Sequence, residues 1–148
     1  FQAEIVQQTQ GSVDKFVGDE MMALFTGPAA LDNAVRCALE IQARVEEEHA
    51  SDPVPIHIGI GINCGPAILG NMGALNRMDY TAIGATVNLG ARLMQVAAGG
   101  QVLIPCQLLE RLTTTVGVRS RESMTFKGIS KPMEVAEIAA EADVDAPA

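Results

Sequence analysis

Residues 56–62 carry the pattern that most limits what this chain can fold into. Ile56, Ile58, Ile60 and Ile62 alternate with His57, Gly59 and Gly61. A period of two is that of a β-strand, with the isoleucines on one face. The glycines on the other face leave room for a second backbone or a ligand to approach closely.

The elements around this strand interleave. Residues 13–16 and 21–25 read as strands joined by a tight connection at 17–20, a hairpin candidate. Residues 31–49 read as a long helix, with Asp32 or a neighbour as its cap. Val35, Ala38, Leu39 and Val45 fall on one side of it, with Arg36, Glu40 and Glu47 turned away. Pro53 and Pro55 end the connection that follows. Residues 67–69 are short and apolar, and 70–76 read as a loop. Residues 80–83 are strand-like and lead through Gly84 into a helix at 86–97. A strand at 101–104, a short helix at 107–112 and strands at 116–126 and 133–138 complete the set. With two hairpins among the helices, the sheet is expected to be mixed or antiparallel, and the class α+β with helices on one face.

Composition removes several classes of function. The 148 residues hold 10 Lys+Arg against 18 Asp+Glu, a net charge of −8, and have no long basic run. That balance opposes non-specific binding to a phosphate backbone. Phe1, Phe16, Phe25, Tyr80 and Phe126 are too scattered for a base-stacking platform. No apolar run approaches a membrane span, and residues 1–9 lack the basic start and apolar centre of a signal peptide. Cys37, Cys64 and Cys106 are odd in number and form no C-x-x-C pair, which reads as reduced thiols of a cytoplasmic protein. A chain of this length buries about 68% of its unfolded surface, enough for a core without disulfides.

At the ends, residues 1–10 read as the close of a helix, with Phe1, Ile5 and Val6 at helical spacing and no cap before them. With no initiating Met, this suggests a piece of a longer chain. Residues 139–148 are acidic and without apolar period, an expected tail or linker after a domain at 1–138.

Three places hold residues suited to chemistry. In Lys15-Phe16-Val17-Gly18-Asp19 a lysine and a carboxylate flank a turn. This suits an ordinary ion pair at a solvated turn, and Asp19 equally suits Mg²⁺, which favours one or two carboxylates plus substrate phosphates. Asn88 and Arg92 lie four apart on the 86–97 helix and so share a face, with Val87, Ala91 and Met94 as the neighbouring buried stripe. An amide beside a guanidinium can remain a surface polar pair, or can donate to a phosphate and to charge developing on it. Gly84-Ala85-Thr86 opens the same helix, whose free N–H groups favour anions. The phosphate-binding G-x-x-x-x-G-K-[ST] loop is absent, Gly59-x-Gly61 lacks the third glycine of a dinucleotide loop, and His49 and His57 are too isolated for a metal pair.

Taken in order, 11–19 (GSVDKFVGD), 58–62 (IGIGI), 80–93 (YTAIGATVNLGARL) and 126–128 (FKG) resemble the class III adenylate/guanylate cyclase catalytic domain over residues 1–138. The resemblance implies a ferredoxin-like or palm-like fold, with a mixed, mainly antiparallel sheet. It implies conversion of a nucleoside triphosphate to its 3′,5′-cyclic monophosphate and pyrophosphate, with Mg²⁺ or Mn²⁺, at the interface of a head-to-tail homodimer. By position, Asp19 resembles one of two metal-binding aspartates, and Lys15 and Thr81 the pair that recognises the purine. Asn88 and Arg92 resemble the pair that steadies the transition state. Lys127 resembles the lysine on the terminal phosphates, with Arg77 as a second phosphate contact.

Purine choice follows from hydrogen-bond polarity. Adenine N1 accepts and its exocyclic amine donates; Lys15 donates and the Thr81 hydroxyl accepts, so ATP is the expected substrate. The Lys15–Thr81 combination resembles the subgroup known for a response to bicarbonate. The family's first metal aspartate, and the strand bearing it, are expected upstream of Phe1, which would leave this segment alone inactive. Ala85 stands where Asp is common in the family, and Gly90 where Ala is common. A second reading is a non-catalytic cyclase-homology module for nucleotide binding or dimerisation; keeping all six of Lys15, Asp19, Thr81, Asn88, Arg92 and Lys127 favours the catalytic one.

Overall fold

The computed structural model describes residues 2–49, 51, 53, 56–66, 68–71 and 80–141. In chain order the first elements are α1 (Gln2–Gln8), β1 (Ser12–Val17), β2 (Glu20–Leu24), α2 (Ala30–His49) and β3 (Ile60–Gly61). They are followed by β4 (Ile68–Asn71), β5 (Tyr80–Ile83), α3 (Ala85–Val96) and β6 (Val102–Pro105). A 3-10 turn at Cys106–Arg111, β7 (Gly117–Met124) and β8 (Met133–Ala139) complete the described chain.

A four-stranded sheet of order β3-β6-β8-β7 holds the centre. Its β3–β6 pair is parallel and the other two pairs are antiparallel, so the sheet is mixed as expected. β1–β2 and β4–β5 form separate antiparallel ladders. All four residues of β6 are buried. Val102 and Ile104 pack with Ile62, with Ala136 and Ile138 of β8, and with Leu31, Val35 and Ala38 of α2. Leu103 instead joins Val135, Phe126 and the α3 residues Leu89 and Leu93. Adjacent strand residues point to opposite faces, so α2 and α3 clasp the sheet from opposite sides.

The α+β sheet architecture is the one expected, with one detail changed. Helices were expected on a single face; this holds for α1 and α2, where Ile5 and Val6 meet Cys37, Ile41 and Val45. Helix α3 lies on the other face, because Leu103 and Val135 give that face its own apolar surface and β3 presents glycine to it. The strand expected at 56–62 is also shorter. Its ladder is Ile60–Gly61, flanked by bonds from Gly100 N to Ile58 O (2.8 Å) and from Ile62 N to Leu103 O (2.9 Å). The Ile58 carbonyl also accepts from Gln42 Nε2 of α2 at 2.7 Å, and Ile56, beyond it, is 56% exposed. Cys37 is buried and Cys64 and Cys106 are half-buried, all three as free thiols. Among the described residues no helix is long and apolar enough to cross a membrane.

Candidate active site

The β1–β2 hairpin turns at Gly18-Asp19, with Val17 opposite Glu20. Gly18 has φ 61°, the left-handed conformation that a two-residue hairpin loop requires and glycine adopts without strain. Asp19 therefore lies exposed at the tip. A bulge between Val13 and Lys15 shifts the register, so that Val13 faces Ala23 while Lys15 faces Met22. Val13, Met21 and Ala23 pack toward α1 and α2. Without the bulge Lys15 would share that inward side; with it, Lys15 points out to solvent. Sequence reading placed Lys15 and Asp19 at the hairpin but did not foresee the bulge, for which Asp14 carries no distinguishing signal.

Helix α3 starts after Gly84, whose φ of 125° is open only to glycine. Its first turn is tied to the segment after β3: Asn63 Nδ2 donates to Thr86 O at 3.0 Å, and Thr86 Oγ1 donates to Pro66 O at 2.5 Å. Leu89 and Leu93 are the buried residues, which corrects the expected buried stripe of Val87, Ala91 and Met94. Ala91 is exposed, and Val87 and Met94 are half-buried. Asn88 and Arg92 share a face, as expected; Asn88 is exposed and Arg92 half-buried. With Ala91 and Gln95 they line a concavity of about 290 Å³. Gln95 was missed in the sequence; the i, i+3, i+4, i+7 spacing from Asn88 is the signal that identifies it. Among the described residues no hydrogen bond or ion pair engages the Arg92 guanidinium.

Lys127 stands exposed in the turn between β7 and β8, closed by Ile129 N to Phe126 O at 3.1 Å, with Gly128 at φ 87°. Phe126 is 6% exposed and packs under Leu89 and Leu93, so the Lys127 turn and α3 are anchored to each other. Thr81 lies on β5, opposite Gly70, and β5 runs beside β1, the strand of Lys15. Arg77 lies outside the described residues. The structure thus makes two groupings: Lys15 and Asp19 on the separate β1–β2 hairpin, and Asn88, Arg92 and Lys127 on α3 and the turn anchored to it. Among the described residues no three His, Cys, Asp or Glu gather as a metal site.

The family profile for the adenylate and guanylate cyclase catalytic domain matches residues 3–138. The chain belongs to this family. It is 31% identical over 146 residues to Adenylate cyclase 1 of Rhizobium meliloti, covering 92% of this chain and 22% of that protein. An uncharacterised protein of Mycobacterium tuberculosis is 30% identical over 139 residues, covering 88% of this chain and 24% of that one. The chain thus spans about a quarter of the length of these curated relatives. Among solved structures, the guanylyl cyclase Cya2 superposes with a TM-score of 0.83 at 30% identity, covering 95% of this chain and 75% of that chain. The adenylyl cyclase CyaB of P. aeruginosa gives 0.75 at 29% identity, covering 93% and 76%.

Proposed function

We propose that this chain is the catalytic domain of an adenylate cyclase, making 3′,5′-cyclic AMP and pyrophosphate from ATP. The observation that carries this is the outward face of α3, where Asn88 and Arg92 border one concavity and no described group engages the Arg92 guanidinium. In the reaction the 3′-oxygen of the ribose attacks the α-phosphorus and loses its proton, while the bond from that phosphorus to the bridging oxygen of pyrophosphate breaks. Negative charge grows on the α-phosphoryl oxygens and on the leaving group. Arg92 offers planar, charged donors and Asn88 a neutral one, both suited to that growing charge. Lys127, on a turn anchored to the same helix, meets the terminal phosphates as a point charge.

Asp19 fits a divalent cation as one hard oxygen ligand, exposed at a hairpin tip where substrate phosphates would supply further oxygens. A divalent cation held by Asp19, Mg²⁺ or Mn²⁺, would supply positive charge to offset the negative charge growing on the phosphates. The two groupings stand on separate elements, the β1–β2 hairpin and α3, which suits a head-to-tail homodimer in which the hairpin of one copy meets α3 of the other.

Lys15 and Thr81 set the purine. A lysine donor and a hydroxyl acceptor on neighbouring strands match the N1 and amine of adenine, and oppose the guanine edge. Bicarbonate as an effector rests on this same Lys15–Thr81 combination. In the full-length protein, ATP should be turned over faster than GTP, and the double substitution Lys15→Glu, Thr81→Cys should erode that preference. Comparison of kcat/KM for the two nucleotides decides it, and faster GTP turnover by the unaltered protein would overturn the purine assignment.

A further inference from the structure

The glycine face of β3 meets α3 more closely than any side chain would allow. A methyl group at Gly61 would lie 2.5 Å from Met94 N, 2.6 Å from Gly90 O and 2.8 Å from Leu93 Cβ. Met94 N–H and Gly90 C=O are donor and acceptor of one i, i+4 bond of the helix. Gly61 therefore rests directly under a hydrogen bond of α3 whose turn, residues 90–94, contains Arg92 and follows Asn88. Two residues earlier, a methyl at Gly59 would lie 2.8 Å from Ala97 O, at the far end of the helix. These neighbours are backbone or Cβ atoms, which no rotamer change moves.

We infer that Gly61 is a positioning residue for the cyclase chemistry: its bare Cα sets the depth at which α3 lies on the sheet, and so the height of Asn88 and Arg92 above it. This rests on the function proposed for that pair. Ordinary contact begins near 3.4 Å, so a methyl at Gly61 forces α3 outward by about 1 Å, since a close-packed interior does not otherwise yield. The first turn cannot follow freely, because Asn63 and Pro66 hold Thr86. The helix must tilt instead, and the Arg92 end must move relative to the Asn88 end. Misplacement of about 1 Å in a charge-stabilising group can lower a rate by about 100-fold. Lys15 and Thr81 stand on β1 and β5, off this contact, so recognition of the purine is retained.

The test is steady-state kinetics of full-length Gly61→Ala, with Ile104→Val as a control. Ile104 is on the α2 side of β6 and costs stability without touching α3. The expected result for Gly61→Ala is a kcat lowered by about 100-fold, with KM for ATP changed by less than about 3-fold. Ile104→Val should keep its kcat. If folded Gly61→Ala keeps the wild-type kcat, or if Ile104→Val loses as much, the positioning role is wrong while the cyclase reading stands. If Gly61→Ala does not fold, Gly59→Ala decides: a lowered kcat at unchanged KM supports the role, and an unchanged kcat overturns it. An unaltered protein that forms no cyclic nucleotide from ATP or GTP would overturn the proposed function itself.

Discussion

Asp32 shows how one carboxylate ties the first turn of a helix to a loop 81–82 residues further along the chain. It lies in the first turn of α2 and is 8% exposed. Its carboxylate accepts from Thr113 N (2.8 Å), Thr114 N (2.9 Å) and Thr113 Oγ1 (2.9 Å). Those donors belong to the loop before β7, so Asp32 caps a loop and does not cap its own helix. The Thr114 N–H, with the Thr113 donors, outweighs burial and lowers the carboxyl from its ordinary 3.8 to about 2. A folded state that binds the proton less tightly than the unfolded chain is stabilised above the unfolded pKa. That stabilisation is complete above about pH 4 and disappears as pH falls toward 2. Asp32→Asn should cost about 2 kcal/mol near neutral pH, the scale of hydrogen bonds to a charged group. The cost should shrink toward zero in the acid range. Urea unfolding at both pH values measures it, and an equal loss at each would refute the charge-based account. Cys37 is a second perturbed group at this scale: burial pushes its thiol up, keeping it protonated and inert inside the α1–α2 cluster.

At the scale of elements, α3 carries a defect in its own stability. Gly90 sits mid-helix, where glycine costs about 1 kcal/mol relative to alanine. A methyl there would meet only Asn63 Cβ at 3.7 Å, an ordinary contact. Gly90→Ala should therefore raise stability by about 1 kcal/mol, visible as a higher melting temperature; a lowered one would mean the helix has no room on that side. The contrast with Gly61, where backbone blocks the methyl, separates two glycines that look alike in sequence. The elements themselves were largely legible. The hairpin, α2, α3 and β8 each announce themselves by period or turn chemistry; i, i+4 spacing puts Asn88 and Arg92 on one face, while their proposed role comes from the resemblance to the family. Two things were not legible. Apolar residues surround α3 on most sides, so choosing Val87, Ala91 and Met94 over Leu89 and Leu93 followed residue type; the polar set Asn88, Arg92 and Gln95 marks the outward face and encloses Ala91. The face on which α3 lies depends on Leu103 and Val135, strand residues distant in sequence, which no local pattern reveals. Nor does periodicity show that Phe126 ties the Lys127 turn to α3.

At the scale of the whole molecule, the proposed groups fall on two separate elements, the β1–β2 hairpin and the outward face of α3, which makes a shared site testable. In the full-length protein, Asp19→Ala and Arg92→Ala homodimers should each lose at least about 100-fold in turnover, the scale for a lost charge-stabilising group. Mixed together they should regain part of it, because a heterodimer holds one site with both groups intact. The readout is cyclic AMP formed against the fraction of heterodimer; heterodimer without recovery would exclude a site built from two copies. The same architecture has a temporal side. β1–β2 and β7–β8 are hairpins that close short loops, whereas the parallel β3–β6 pair must bring Ile60 to Val102 with α3 as part of the crossover. Loop-closure entropy places such long-range pairings late in folding. β6 also lies between β3 and β8, so its second edge is satisfied only once the chain has been synthesised as far as Ile138. A nascent chain emerging from the ribosome would thus build its hairpin tip first and seat the Asn88–Arg92 helix last, so that the face proposed to act on nucleotide is assembled only with the completed domain.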